Sequence, residues 1–215
     1  MTVSDEPDSR PVGTIWTLDP DQSTPPITPN IPAAFSQVEP QAASELAAAM
    51  GEAVLAEVHS RFRAGRRCYV ARVDRKIAAY GWVSFIDEYV GELTLHLKLL
   101  PDEAYIWNCV TLPDFRREYL YSALLTYIVG ELHKDHVSRV WIGADTENVA
   151  SQKGIARAGF SHVADLVITR VITLRHIGIQ GRPNVPANLV AQARRVFLND
   201  REKVWLPVWN SSISA

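Results

Sequence analysis

Thirty-eight consecutive residues of this chain, from Glu92 to Val129, contain no glycine. That absence matters because the stretch "TLPDFRREYLYSALL" (111–125) lies inside it and reads as a strand end, a turn and a helix start. Turns of that kind hold phosphates in many enzymes, and glycine usually lets the backbone close on the anion. Cysteine is also scarce. Cys68 and Cys109 are the two in 215 residues, too few for a disulfide framework or a cysteine metal site, and a reduced cytoplasm is the default expectation. No apolar run approaches the roughly 20 residues of a membrane span. The first residues, "MTVSDEPDSRPVG", have no apolar signal core. A net charge of −2 gives no general attraction to nucleic acid or to an anionic membrane. Neither partner is expected.

What is present is a soluble-type composition, 47% apolar and 21% charged, with patterning for one sizeable core. Residues 1–12 read as frayed, 13–19 as a short strand and "PDQSTPPITPNIP" (20–32), with five prolines, as an extended linker. Leu46, Met50, Val54, Val58 and Phe62 recur every four residues, which predicts one helix over 40–63 that stops at Gly65. A hairpin follows at 68–86, then strands over 91–100 and 104–112. A helix over 118–134 carries the stripe Leu120, Leu124, Ile128 and Leu132. Strand 139–145, helix 148–159, one long or two short strands over 162–177 and a last helix at 186–198 complete the order. This is α/β with a mixed sheet, and its later strand–helix–strand units call for parallel neighbours. The expected organisation is an N-terminal strand and proline-rich linker (1–38), a main domain (39–178), and a C-terminal helix and tail packed on it (179–215).

Two strand-to-helix junctions concentrate the chemistry. At the first, free N–H groups at a helix start would join the adjacent guanidinium groups of Arg116 and Arg117, a combination suited to phosphate. At the second, "ADTENVASQKGIARAGF", Asn148 is placed to cap the helix. Thr111, Pro113, Arg116, Leu124 and Leu125, then Asn148, Ser151, Gly159 and Phe160, fall on a spacing that resembles the GNAT superfamily of acyl-CoA-dependent N-acyltransferases. The resemblance covers roughly 68–172 and implies a mostly antiparallel central sheet with flanking helices. It also implies acetyl-CoA as acyl donor and a small-molecule or peptide amine as acceptor, with no metal.

By resemblance, Arg116, Arg117 and the amides of 117–121, including Tyr119, Leu120 and Tyr121, would hold the diphosphate. Val110, Thr111 and neighbouring backbone from Asn108 would hold pantetheine, with Asn148 and Ser151 on its far side. Ser151 is the catalytic candidate. It resembles the serine near the sulfur in the branch acting on ribosomal-protein N-termini, although its position is equally that of any first-turn helix serine.

Two features depart from the family. Its three loop glycines are Arg117, Tyr119 and Tyr121 here, and the position of its usual tyrosine acid is Ile155. Three readings therefore stand: a coenzyme A site rebuilt with side chains, an acyltransferase fed by an acyl carrier protein, and a non-catalytic sensor or interaction protein. No general base is identifiable. Asp87, Glu88, Glu92 and His96 read as solvated surface groups, Cys109 as a buried strand cysteine, and His133 and His136 as charge at a helix end. Trp82, Trp107 and Trp141 read as core or cleft wall. Trp205 and Trp209 have two candidate partners, the domain itself or a second subunit, which leaves a homodimer open.

Overall fold

In a computed structural model the described residues are 8–19, 26–51, 54–171 and 174–206. Part of the 20–32 linker, the N-terminal residues 1–7 and Trp209 lie outside them, as do the side chains of Glu92 and Val171. A nine-stranded mixed sheet forms the centre, in the order β11-β10-β9-β1-β8-β7-β4-β3-β2. Its strands are β1 (Asp8–Leu18), β2 (Ala34–Val38), β3 (Arg67–Val73), β4 (Lys76–Ser84), β7 (Glu103–Thr111), β8 (Arg139–Asp145), β9 (Ser161–Val171), β10 (Leu174–Gly181) and β11 (Lys203–Leu206). A separate hairpin pairs β5 (Asp87–Val90) with β6 (Leu95–Lys98). The helices are α1 (Ala43–Met50), α2 (Leu55–Arg63), α3 (Leu120–Lys134), α4 (Val149–Arg157) and α5 (Ala187–Leu198). None of the described helices is long and apolar enough to cross a membrane.

Strand alternation sorts the core into layers. Tyr69, Ala71 and Val73 of β3 face the α3 stripe of Leu120, Leu124 and Ile128. Their neighbours Cys68 and Val70 face α1 and α2 on the opposite side, with Leu46 and Val58. Further along that second face, α5 covers β9 and β10 through Ala193, Val196 and Phe197, while Leu95 and Leu97 of the hairpin pack into the same cluster.

Several expectations are corrected. The single helix over 40–63 is two, because Gly51 takes φ +118° and ends α1 before α2 begins at Leu55. The strand over 91–100 is interrupted: Gly91–Leu93 form a turn, Thr94 takes φ 54°, and only Leu95–Lys98 extend, outside the main sheet. The N-terminal strand runs from Asp8 and lies in the middle of the sheet, antiparallel to both β8 and β9. It therefore takes the place of the parallel neighbour expected for β9, and β7 with β8 is the one parallel pair in the main sheet among the described residues. Strands β2 and β11 had no distinguishing sequence pattern.

The feature that shapes the site is in β7. Tyr80 pairs with Val110 and Trp82 with Trp107, so Asn108 and Cys109 together oppose the single residue Gly81. This is a bulge, with Asn108 at φ 46°. A Cβ on Gly81 would stand 2.8 Å from Cys109 Sγ, so glycine there makes room for the bulged thiol. Gly81→Ala is expected to cost about 1–3 kcal/mol of stability in urea melts. Most of that loss should return in the Gly81→Ala, Cys109→Ala double variant. A double variant no more stable than Gly81→Ala would refute this packing.

Candidate acyl-donor site

Strands β7 and β8 pair only from Glu103 with Arg139 to Ile106 with Ile142. Beyond that the bulge turns β7 away, while β8 stays hydrogen-bonded to β1 as far as Asp145. A cleft of about 640 Å3 opens beside the parting strands, under the starts of α3 and α4. Val110, Thr111, Arg116, Arg117, Tyr119, Leu120, Tyr121, Asn148 and Ser151, the nine residues singled out in the sequence, all line it.

The loop before α3 has the backbone of a glycine loop without the glycines. Arg117 takes φ 72° and Tyr119 φ 58°. Side chains resist this left-handed region, at about 1–2 kcal/mol per residue. Asn30 holds the turn from behind: its Nδ2 donates to the Arg117 carbonyl at 3.2 Å, and its N–H to the Glu118 carbonyl at 3.1 Å. With those carbonyls turned to Asn30, the N–H groups of Arg117 to Ser122 have no backbone acceptor among the described residues. Arg116, Arg117 and Arg157 are exposed, and none has an ion pair there. The Arg157 guanidinium lies 4.5 Å over the Tyr119 ring, which steadies it at the cleft. Arg157 was not singled out in the sequence, although Ala150, Gly154 and Arg157 follow helical spacing on one face of α4.

Deeper in, Thr111 Oγ1 is buried with no partner among the described residues, a cost that a ligand group would remove. Leu120 is buried to 1% exposure and packs in the core beneath the cleft. Asn148 caps α4, its Oδ1 accepting from the Ser151 N–H at 3.0 Å. Ser151 Oγ is 3.0 Å from the Tyr121 hydroxyl. The Tyr121 ring lies against Gly154, where an added Cβ would meet it at 2.4 Å. Tyr121 thus brings a phenol from α3 to Ser151, although the family's tyrosine position on α4 is Ile155, which is fully buried. Burial raises the Tyr121 pKa far above the usual tyrosine range, with Cys109 adding to the rise, the Ser151 bond opposing it and Tyr105 adding a little.

The other candidates separate. Burial pushes the Cys109 thiol up to about 12, which keeps it protonated and unreactive at neutral pH. Glu88 is not a solvated charge: it is 7% exposed and holds Arg66 through two contacts of 2.7 and 3.2 Å. It also accepts from Ser84 Oγ at 2.5 Å, and Ser84 in turn accepts from Trp107 Nε1 at 2.9 Å. That network ties the β5–β6 hairpin to the sheet. Asp87 and His96 are exposed. Trp82 and Trp141 are core, whereas Trp107 is half-buried under Arg61, whose guanidinium lies 4.5 Å from its ring. Trp205 is 50% exposed on the edge strand and packs edge-on against His176. No group of three metal-ligating side chains occurs among the described residues.

A bulged strand parts from its parallel neighbour beside the start of α3, and the cleft opens there. A family model described as the Acetyltransferase (GNAT) family matches residues 34–160, and the chain belongs to that family. The match reaches further toward the N-terminus than the motif spacing does, taking in β2, α1 and α2. Among solved structures the chain is similar to a GNAT-family acetyltransferase from Colwellia psychrerythraea, with 17% identity and a TM-score of 0.54 over 75% of this chain. This chain spans 56% of that protein's length. It is also similar to the ribosomal-protein-alanine N-acetyltransferase from Brucella melitensis biovar Abortus, with 14% identity, a TM-score of 0.44, and 57% and 86% of the two chains covered. An acetyltransferase from Clostridium acetobutylicum with acetyl-CoA gives 16%, 0.43, and 60% and 90%. No curated protein matches the sequence.

Strain in the loop is directly measurable. Arg117→Gly is expected to raise stability by about 1 kcal/mol in urea melts, because it relieves the left-handed φ. A loss of stability would mean that the Arg117 side chain contributes more to the fold than the strain costs.

Proposed function

We propose that this protein is an N-acetyltransferase that takes its acyl group from acetyl-CoA. The observation that carries the reading is that the amides from Arg117 to Ser122, without a backbone acceptor among the described residues, belong to a segment lining one cleft together with Arg116, Arg117 and Arg157, whose guanidinium groups have no ion pair there. Helix-start amides and arginine forks are the chemistry that holds a diphosphate. The unpartnered Thr111 Oγ1 and the β7 backbone beyond Ile106, released from β8, offer polar groups along the way to the parting strands. A cleft of this volume suits a nucleotide-bearing donor better than a carrier protein, which would need only a surface patch.

Acetyl-CoA supplies a thioester: the amine nitrogen bonds to the acyl carbon, the carbon–sulfur bond breaks, the amine gives up a proton and the departing sulfur gains one. On this reading Tyr121 and Ser151 are the proton source for the sulfur. The raised phenol keeps its proton at every physiological pH, and its hydrogen bond to Ser151 Oγ reaches the hydroxyl that lines the cleft. The chain thereby recovers, from α3, an acid that its α4 lacks.

Calorimetric titration of the full chain with acetyl-CoA is expected to give micromolar binding, weakened about tenfold or more in the Arg116→Ala, Arg117→Ala variant. No binding by the native protein at millimolar ligand would overturn the reading. With an amine that the protein acetylates, Tyr121→Phe is expected to lower kcat on the order of a hundredfold and leave acetyl-CoA affinity unchanged. Native kcat should not fall as pH rises through the ordinary tyrosine range, since the group acts in its protonated form and its pKa is raised. An unchanged kcat in Tyr121→Phe would remove Tyr121 from the chemistry.

A further inference from the structure

A second cavity, of about 130 Å3, lies on the opposite face of the sheet from the donor cleft. Two strand positions without side chains lie along its floor, with Leu166 packed against Gly13. Gly143 of β8 pairs with Ile15, and Gly13 of β1 pairs with Asp145, in the part of β8 that has already left β7. Glycine inside a strand weakens it and marks a place where something must come close. Val90, Leu93 and Leu95 of the hairpin form the roof, held over the sheet by the Glu88–Arg66 pair, and Phe197 of α5 closes one wall. The Tyr105 hydroxyl stands beside Gly143, 3.5 Å from where a Cβ would be. Tyr105 of β7 and Gly143 to Asp145 of β8 both line it, so the cavity borders the gap between β7 and β8.

The charge in this cavity is one-sided. Alternation along β8 puts Trp141 and Gly143 on this face, and Asp145 follows them. Asp145 is exposed, lines the cavity, and its carboxylate has no hydrogen bond or ion pair among the described residues. No Lys, Arg or His lines the cavity. The volume is near that of an apolar cavity that admits benzene, roughly 150 Å3.

We infer that this second cavity holds the acceptor: a compact primary amine with an apolar body about the size of one ring and no carboxylate of its own. The assignment rests on the acetyltransferase reading. The apolar walls would take the body and Asp145 would hold the ammonium at the mouth, on the side of the gap where a thioester in the donor cleft is reached. A carboxylate on the acceptor would meet Asp145 with no cation to offset it.

The test is calorimetric titration of the full chain with benzylamine and with its neutral counterpart benzyl alcohol, at up to millimolar ligand. Native protein is expected to bind benzylamine about fivefold or more tightly than the alcohol. Asp145→Asn should erase that preference, and Gly143→Val, which fills the floor, should remove binding of both. Unchanged acetyl-CoA affinity in both variants is expected and would show that the fold is intact. Benzylamine binding that is absent in the native protein, or indifferent to both substitutions, would overturn the inference. Failure of acetyl-CoA to bind the native protein would instead overturn the donor reading, because the amine titration needs no donor.

Discussion

The cleft and the second cavity both lie where two parallel strands stop pairing. Strands β7 and β8 share only their first residues, from Glu103 to Ile106 and from Arg139 to Ile142. Separating paired strands inside a sheet exposes backbone groups that must find partners or a ligand. The separation persists because each strand is held from its other side. The bulge at Asn108 and Cys109 locks β7 to β4 with Gly81 as its socket. Strand β1 holds β8 in a continuous antiparallel ladder to Asp145. The gap is therefore a rigid feature of the sheet, and a cavity opens on each face of it.

The loop over one of those faces shows how a backbone shape can outlast the residues that make it easy. Arg117 and Tyr119 adopt left-handed conformations that glycine would take at no steric cost. Strain of this kind persists only where surroundings over-determine it. Asn30 supplies two hydrogen bonds to the outward carbonyls, and the buried first turn of α3 anchors the other end at Leu120. In exchange, the same positions carry a guanidinium and a ring that glycine could not, and the ring steadies Arg157. Without glycine, the loop presents charged side chains as well as backbone to the cleft.

Much of this was legible in the sequence because it depends on local patterning. The stripe Leu120, Leu124, Ile128 and Leu132 is buried in α3, and the hairpin over 68–86 forms with Asp74 and Arg75 at its turn. The nine candidate residues meet around one cleft because two strand-to-helix junctions lie side by side wherever parallel strands are neighbours. What stayed hidden depends on distant partners. Nothing in "GTIWTLD" distinguishes a central strand from an edge strand, since that is settled by β8 and β9. Glu88 looks like any loop carboxylate until Arg66 and Ser84 are brought to it. Tyr121 could not be matched to Ser151, nor Gly154 to the Tyr121 ring, because the pairing joins different helices.

The two faces of the gap also differ in which part of the chain builds them. The donor cleft lies within the segment matched by the family, from Val110 to Arg157. The opposite cavity draws on residues inside and outside that segment: Val90, Leu93, Leu95, Tyr105 and Gly143 to Asp145 lie within residues 34–160, whereas Gly13 and Thr14 of β1, Leu166 and Phe197 of α5 lie outside them. Strand β1 is common to both: its ladder holds β8 on the side away from β7, and Gly13 and Thr14 in that same ladder line the second cavity. A change in β1 that alters the second cavity without breaking the ladder would leave the donor side as it is, because α3 and α4 do not rest on Gly13. The cavity opposite the cleft therefore depends on residues both inside and outside the family-matched segment, joined through one strand.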